Sequence, residues 1–171
     1  MFTRKSKRPY FAKVVLCDGL SVVEIIVAAA VIVTIVTAAA ASWQVYLRTS
    51  NTSVQQSQAA IIVEETSEVL RLFRDQSWTS FISPLSLNTL YQLNFNGTGY
   101  TITTNQILVQ NKFVRTFSLS AVSRDSSDNI ITSGGTNDPN SRKVSISVFL
   151  PGATSTPIMQ TEMLLQNVYA N

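Results

Sequence analysis

The chain has 171 residues, 45% of them apolar and only 13% charged, with a formal net charge of +3 at pH 7. It contains no histidine and a single cysteine, Cys17. An imidazole base, a histidine-ligated metal and an intramolecular disulfide are therefore excluded as the basis of activity or stability.

Arg4, Lys5, Lys7, Arg8 and Lys13 open the chain, and Asp18 is the one acid among the first nineteen residues. A mainly apolar run then fills residues 20–41, with one charged side chain in it, Glu24. At ~1.5 Å of rise per residue, a helix of that length just crosses a hydrocarbon core of roughly 30 Å, so the run reads as a single membrane span. The preceding bases keep the start of the chain cytoplasmic and send the remainder outward. Glu24 lies within the first turns of the span, where an ionised carboxylate costs at least about 2.5 kcal/mol unless it snorkels to the interface or meets a partner.

A secretory signal peptide is the competing reading, since residues 38–42 offer small side chains for cleavage behind the apolar segment. Two features oppose it: the run exceeds the usual signal-peptide core, and an acid stands near its start. Lipidation at Cys17 fits poorly, because only Val14, Val15 and Leu16 precede it as apolar residues and Leu16 fills the place of a small one.

Gly19-Leu20-Ser21-Val22-Val23-Glu24, opening an apolar helix, resembles the leader junction of type IV pilins and pseudopilins. The resemblance covers about the first third of the chain. It implies cleavage by a prepilin peptidase between Gly19 and Leu20, on the cytoplasmic side of the span, and N-methylation of the new amine at Leu20. It also implies that Glu24 meets the terminal amine of a neighbouring subunit during docking into a filament. Leu20 stands where the family commonly has Phe, Ser21 replaces the frequent Thr, and Asp18 replaces the more usual base beside the glycine.

Such cleavage would remove five of the 13 basic residues and one of the ten acids, turning +3 into −1. The basic character then belongs to the leader, and a nucleic-acid partner does not follow from the whole-chain charge. Cys17 would leave as well, so the mature outer domain would hold by packing alone.

No Gly or Pro occurs in residues 20–83, which predicts one continuous helix to about Arg74, roughly 80 Å long. Residues 48–53 (Arg-Thr-Ser-Asn-Thr-Ser) prefer caps and turns, and Ser53-Val54-Gln55-Gln56 has the form of a capping box, so a break near Asn51 stays open at this point. Ala30, Thr34, Ala38 and Ala41 share one helical face and provide either a close-packing seam for neighbouring helices or simply good helix formers. Trp43, Tyr46 and Arg48 suit the outer membrane interface. Beyond them, Ala59, Ile62, Val69, Leu72 and Phe73 form an apolar stripe for a sheet. Glu64, Glu65 and Glu68 precede Arg71 and Arg74, which reads as a solvated face with a Glu68–Arg71 pair rather than a metal site.

Pro84 is expected to end the helical region, after which Thr, Asn, Ser, Val, Ile and Phe dominate. Residues 91–96 and 100–104 predict a hairpin around Asn96-Gly97-Thr98-Gly99; residues 112–122, 143–149 and 158–168 predict further strands. Gly134, Gly135, Asn137, Asp138, Pro139 and Asn140 read as a long polar loop that, with Asp125 and Asp128, lacks the ligand alternation of a calcium site. Lys112, Arg115, Arg124, Arg142 and Lys143 exceed Asp125, Asp128, Asp138 and Glu162 by one, which is no nucleic-acid footprint. No Gly-x-Ser-x-Gly, phosphate-loop or paired-carboxylate motif appears, and no cofactor or catalytic residue is expected.

The expected protein is α+β, a long transmembrane-to-periplasmic helix packed against a C-terminal antiparallel sheet as in pilins. It divides into a leader (1–19), an assembly helix (20–42), an outer amphipathic half (43–80) and a sheet domain (81–171). The implied role is a minor pilin or pseudopilin in a type IV pilus-like or type II secretion filament. Its partners would be other subunits, the prepilin peptidase, the inner-membrane assembly platform and, before assembly, lipid. Two alternatives stand beside it: a DNA-uptake minor pilin, and a membrane-anchored extracytoplasmic binding domain that never polymerises.

Overall fold

The computed structural model describes residues 21–153 and 155–169. It is α+β, with one long helix, α1 (Val22–Gln76), followed by seven strands that pair only antiparallel. Residues up to Leu47 form one compact unit and those from Arg48 a second.

In the first unit the described structure is helix, opened by Ser21, whose carbonyl accepts from the N–H groups of Glu24 and Ile25 at 2.9 and 3.1 Å. Ala-rich sequence with no helix breaker accounts for its regularity. Every side chain of α1 through Leu47 is exposed.

α1 runs through Asn51 without a break, and the potential capping box at Ser53 goes unused. Thr52 is accommodated by bonding back along the helix, its hydroxyl donating to the Arg48 carbonyl at 2.9 Å. The helix stops before the expected Pro84. Ser77 adopts an extended backbone (φ −171°) after Gln76 and caps a π-helical turn, Trp78–Ile82, by accepting from the Ser80 N–H. That turn brings Phe81 back against Phe73, rings stacked with centroids 4.9 Å apart, and buries Trp78 and Ile82.

The sheet domain holds a hairpin, β1 (Gln92–Phe95) and β2 (Tyr100–Thr103), and a five-stranded sheet. The larger sheet contains β3 (Leu108–Val109), β4 (Phe113–Arg124), β5 (Ile130–Ile131), β6 (Thr136–Phe149) and β7 (Met159–Gln166), in the order β3-β4-β6-β7 with β5 paired to β4. Reciprocal backbone bonds between Tyr91 and Phe117, at 2.8 and 2.9 Å, tie the approach to the hairpin to β4.

The core forms where the buried face of α1 meets the inner face of this sheet. Ala59, Ile62, Val63, Thr66, Val69, Leu70 and Phe73 step along the helix in threes and fours, placing them on one side. Opposite them, Phe117, Leu119, Val144, Ile146 and Leu165 are at most 1% exposed, each worth about 1.5–3 kcal/mol of burial. Leu72, expected in the stripe, is 51% exposed: it sits one residue, about 100°, round the helix from Phe73. Thr66 replaces it in the core, made tolerable by its hydroxyl donating to Ile62 O at 2.7 Å.

The polar segment 134–140 is also not one long loop. A Gly134-Gly135 turn leads directly into β6, and the register slips between Ala121, opposite Arg142, and Val122, opposite Asp138. Pro139, Asn140 and Ser141 fill the resulting bulge, a position that tolerates a residue lacking a backbone N–H.

Candidate assembly segment

The cleavage and methylation residues expected from the sequence, Gly19 and Leu20, lie outside the described residues. The description begins at Ser21, and Glu24 occupies the first turn of α1, where the positive end of the helix dipole favours a carboxylate. Ala30, Thr34, Ala38 and Ala41 are all exposed on this part of the helix and fall within an arc of about 80° at 100° per residue.

Three hydroxyls within α1 here are turned back onto the helix. Thr34 donates to Val31 O at 2.8 Å, Thr37 to Val33 O at 2.9 Å, and Ser42 to Ala38 O at 2.9 Å. Such internal bonding removes the cost of placing a hydroxyl in lipid or between close-packed helices. Among the described residues through Ser42, Glu24 is the one charged side chain, and it makes neither a hydrogen bond nor an ion pair with them. Sequence reading singled out Glu24 and Thr34 but missed the self-satisfaction of Thr37 and Ser42, which their helical spacing to backbone carbonyls would have predicted.

Beyond Glu24 the helix surface is largely apolar. Val22, Val23, Ile26, Ile32 and Val36 are each at least 60% exposed, and the most apolar window of α1 has a mean hydropathy of 2.6 with none of it buried. By length and composition this is one helix able to cross a membrane. A continuous apolar surface of this kind calls for lipid or other helices around it. Trp43 and Tyr46 lie next to each other at its far end, centroids 5.8 Å apart.

The acids and bases of the second unit are largely committed to one another. Glu68 pairs with Arg71 as expected and Glu64 is exposed, but Glu65 is not part of a solvated face. Its Oε1 accepts from Arg115 Nη1 at 2.8 Å and from the Tyr100 hydroxyl at 2.6 Å, while Arg115 Nη2 donates to Leu93 O at 3.0 Å. Arg115 is 3% exposed and its guanidinium lies 5.9 Å from the centre of the Tyr100 ring. Burial pushes the Glu65 carboxyl up, yet the Tyr100 hydroxyl and the Arg115 cation outweigh it and hold it below the ordinary carboxylate range. This pair was illegible in the sequence because the partners are fifty residues apart.

At the bulge, Asp138 accepts from Ser141 Oγ at 2.6 Å and from Arg124 Nε at 2.7 Å, bonds that keep its carboxyl low despite some desolvation. Asp128 approaches the same Arg124 Nε at 3.6 Å. Asp125 turns away and accepts from the backbone N–H groups of Asn129 and Ser127. Of the carboxylates considered for calcium, Asp128 and Asp138 thus face the Arg124 guanidinium, and among the described residues no three acidic side chains are gathered for a metal ion. A cleft of about 520 Å³ lies across β4, β6 and β7, and its two charges, Lys143 and Glu162, neutralise each other at 2.7 Å.

Chemically, the described structure presents an exposed apolar helix with one unsatisfied carboxylate near its start, and a sheet domain whose polar groups are mostly self-satisfied. Comparisons with protein-family models, with curated proteins and with solved structures find no match for this chain.

Proposed function

We propose that this protein is a structural subunit, a minor pilin or pseudopilin, of a type IV pilus-like or type II secretion filament. In this reading a prepilin peptidase cuts after Gly19, the amine of Leu20 is methylated, and the subunit leaves the membrane for the filament through its N-terminal helix. The N-terminus faces the cytoplasm and the sheet domain lies outside it, at the cell surface or in the periplasm. The carrying observation is Glu24, a carboxylate five residues beyond Gly19 that has no partner among the described residues, in an apolar segment where Thr34, Thr37 and Ser42 are satisfied internally. A charge kept at such cost in an apolar segment marks a functional contact, and the terminal amine of a neighbouring subunit supplies the opposite sign. The long helix followed by an antiparallel sheet is the layout this role uses, and Ala30, Thr34, Ala38 and Ala41 give neighbouring helices room to approach.

The test is the mass of the N-terminal peptide from cells with an active prepilin peptidase. A methylated terminus at Leu20 supports the filament; an intact leader, or a terminus near Ala41, overturns it. Glu24→Ala should still insert into membranes but enter sheared filaments at a level at least ten-fold lower. Equal incorporation would remove the docking role. The same experiment separates the other reading, a membrane-anchored binding domain, which leaves no protein in the filament fraction at all.

A further inference from the structure

Two Asn-x-Ser/Thr triplets occur in the described chain, Asn51-Thr52-Ser53 and Asn96-Gly97-Thr98. Such triplets are the acceptor pattern for N-linked sugars, provided that they lie in an exposed turn outside the cytoplasm. The fold treats the two oppositely. Asn51 is inside α1, where the helical backbone denies the triplet an exposed turn. Asn96 begins the four-residue connection between β1 and β2, where Gly97 (φ +93°) takes a left-handed backbone. Asn96, Gly97 and Thr98 are all exposed, and a side chain built at Gly97 would meet nothing within 4 Å.

The side-chain amide of Asn96 is held by its oxygen. Oδ1 accepts from the Thr98 N–H at 3.0 Å, the Thr98 hydroxyl at 2.9 Å and the Gly99 N–H at 2.9 Å. Two of these donors are backbone N–H groups, so the oxygen must face them and the nitrogen must face away. Among the described residues Nδ2 makes no hydrogen bond, and it projects from the tip of a hairpin with nothing above it. The Thr98 hydroxyl, the group that completes the triplet, donates to the same oxygen.

We propose that Asn96 is an N-glycosylation site, its Nδ2 accepting a sugar from a polyprenyl-diphosphate-linked donor. In the transfer a bond forms between Nδ2 and the anomeric carbon of the sugar while the bond from that carbon to the diphosphate oxygen breaks. The lipid diphosphate leaves with the electron pair, and the amide nitrogen gives up one proton. The proposal rests on the reading that the sheet domain faces away from the cytoplasm, since the hairpin must meet the transferase there. A sugar at this tip would stand clear of the core, because β1 and β2 continue below it with Leu93 buried and Asn94 and Phe95 exposed.

The experiment is peptide mass mapping of the protein purified from its own cells, with the N-terminal peptide read in the same digest. The expected result is a peptide containing Asn96 heavier by at least one sugar residue, and an Asn51 peptide of unmodified mass. Asn96→Asp should abolish the increment while leaving the turn intact, because an aspartate oxygen accepts the same three hydrogen bonds; Thr98→Ala should abolish it too, and Thr98→Ser should retain it. A bare Asn96 overturns the proposal, as does an increment that survives Asn96→Asp. The terminus reports separately on the parent reading: bare Asn96 with a methylated Leu20 removes the sugar and leaves the filament, whereas a glycosylated Asn96 with an intact leader does the reverse.

Discussion

Between Val22 and Leu47 every side chain of α1 is exposed, whereas between Ala59 and Phe73 the same helix buries seven. Both stretches are rich in Ala, Val, Ile and Leu, so apolar content does not separate them. Periodicity does. The first is apolar around its whole circumference and keeps its few hydroxyls bonded to its own backbone, the solution suited to surroundings without water. The second gathers most of its apolar residues on one side, Ile61 and Leu72 excepted, and sends Glu64, Glu68 and Arg71 to the other, the solution for a helix half in water and half against a sheet. One helix therefore carries two patterns, the first fit for surroundings without water and the second for water on one side only.

Substitutions in the packed half should have the largest effects. Phe117→Ala, which empties a site 1% exposed beneath α1, is expected to cost about 3–5 kcal/mol. Val33→Ala, in the apolar half, should cost under about 0.5 kcal/mol in the same assay. Urea unfolding of the full chain in detergent, followed by the fluorescence of buried Trp78 with Trp43 replaced by Phe, measures both. Comparable losses would break the contrast, because they would mean that the first half also packs into the folded core.

The Glu65–Arg115 pair sharpens the comparison, since it is how the second half manages a charge that Glu24 in the first half leaves open. Glu65→Ala strands a guanidinium whose side chain is 4% exposed and should cost about 2–4 kcal/mol. Arg115→Met should cost less, because the Glu65 side chain is 37% exposed and water can take over as its partner. The reverse order in unfolding midpoints would show that the pair is not asymmetric in this way. Its pH dependence follows from the lowered carboxyl. The pair's contribution is complete above the ordinary glutamate value of 4.5 and is lost as pH falls through the lower folded value. Wild type should therefore lose thermal stability more steeply than Glu65→Gln below about pH 4.5, read as melting temperature against pH.

Gly135→Ala comes next. A Cβ there would stand 2.4 Å from the Arg124 carbonyl oxygen, with φ at +74°, and the strained turn should cost about 1–3 kcal/mol. A neutral result would mean that the entry to β6 relaxes freely. Smallest of all, Leu72→Ala should change stability by less than about 0.5 kcal/mol despite its place in the apolar run of the outer helix. A loss of core size at Leu72 would restore it to the packed stripe.

Much of this was legible in the sequence for definite reasons. The absence of Gly and Pro from residues 20–83 forecast the long helix, and the Asn96-Gly97 turn signal located the hairpin to within a residue. The polar run at 48–53 posed a choice that propensity could not decide; tertiary and helical continuity settled it in favour of helix. The stop at Ser77 was hidden because the π turn that follows is defined by a bond from Ser83 N to Trp78 O, not by a helix breaker. Within the candidate assembly segment, the acid and the small-residue face were readable, while the expected processing residues, Gly19 and Leu20, lie outside the described residues.

By itself the sequence determined which stretches could be helix or strand and where one charge interrupted an apolar segment, because backbone preference and hydrophobic period are properties of neighbours along the chain. It also fixed the self-bonded hydroxyls, whose partners lie three or four residues away. Only the tertiary structure decided that Leu72 leaves the core and Thr66 enters it, that Glu65 reaches Arg115, and that the strand register slips at Asp138. Each of those depends on which residues distant in sequence meet across the helix and sheet, where the free energy is set by packing volume and paired charge, and no local pattern records either.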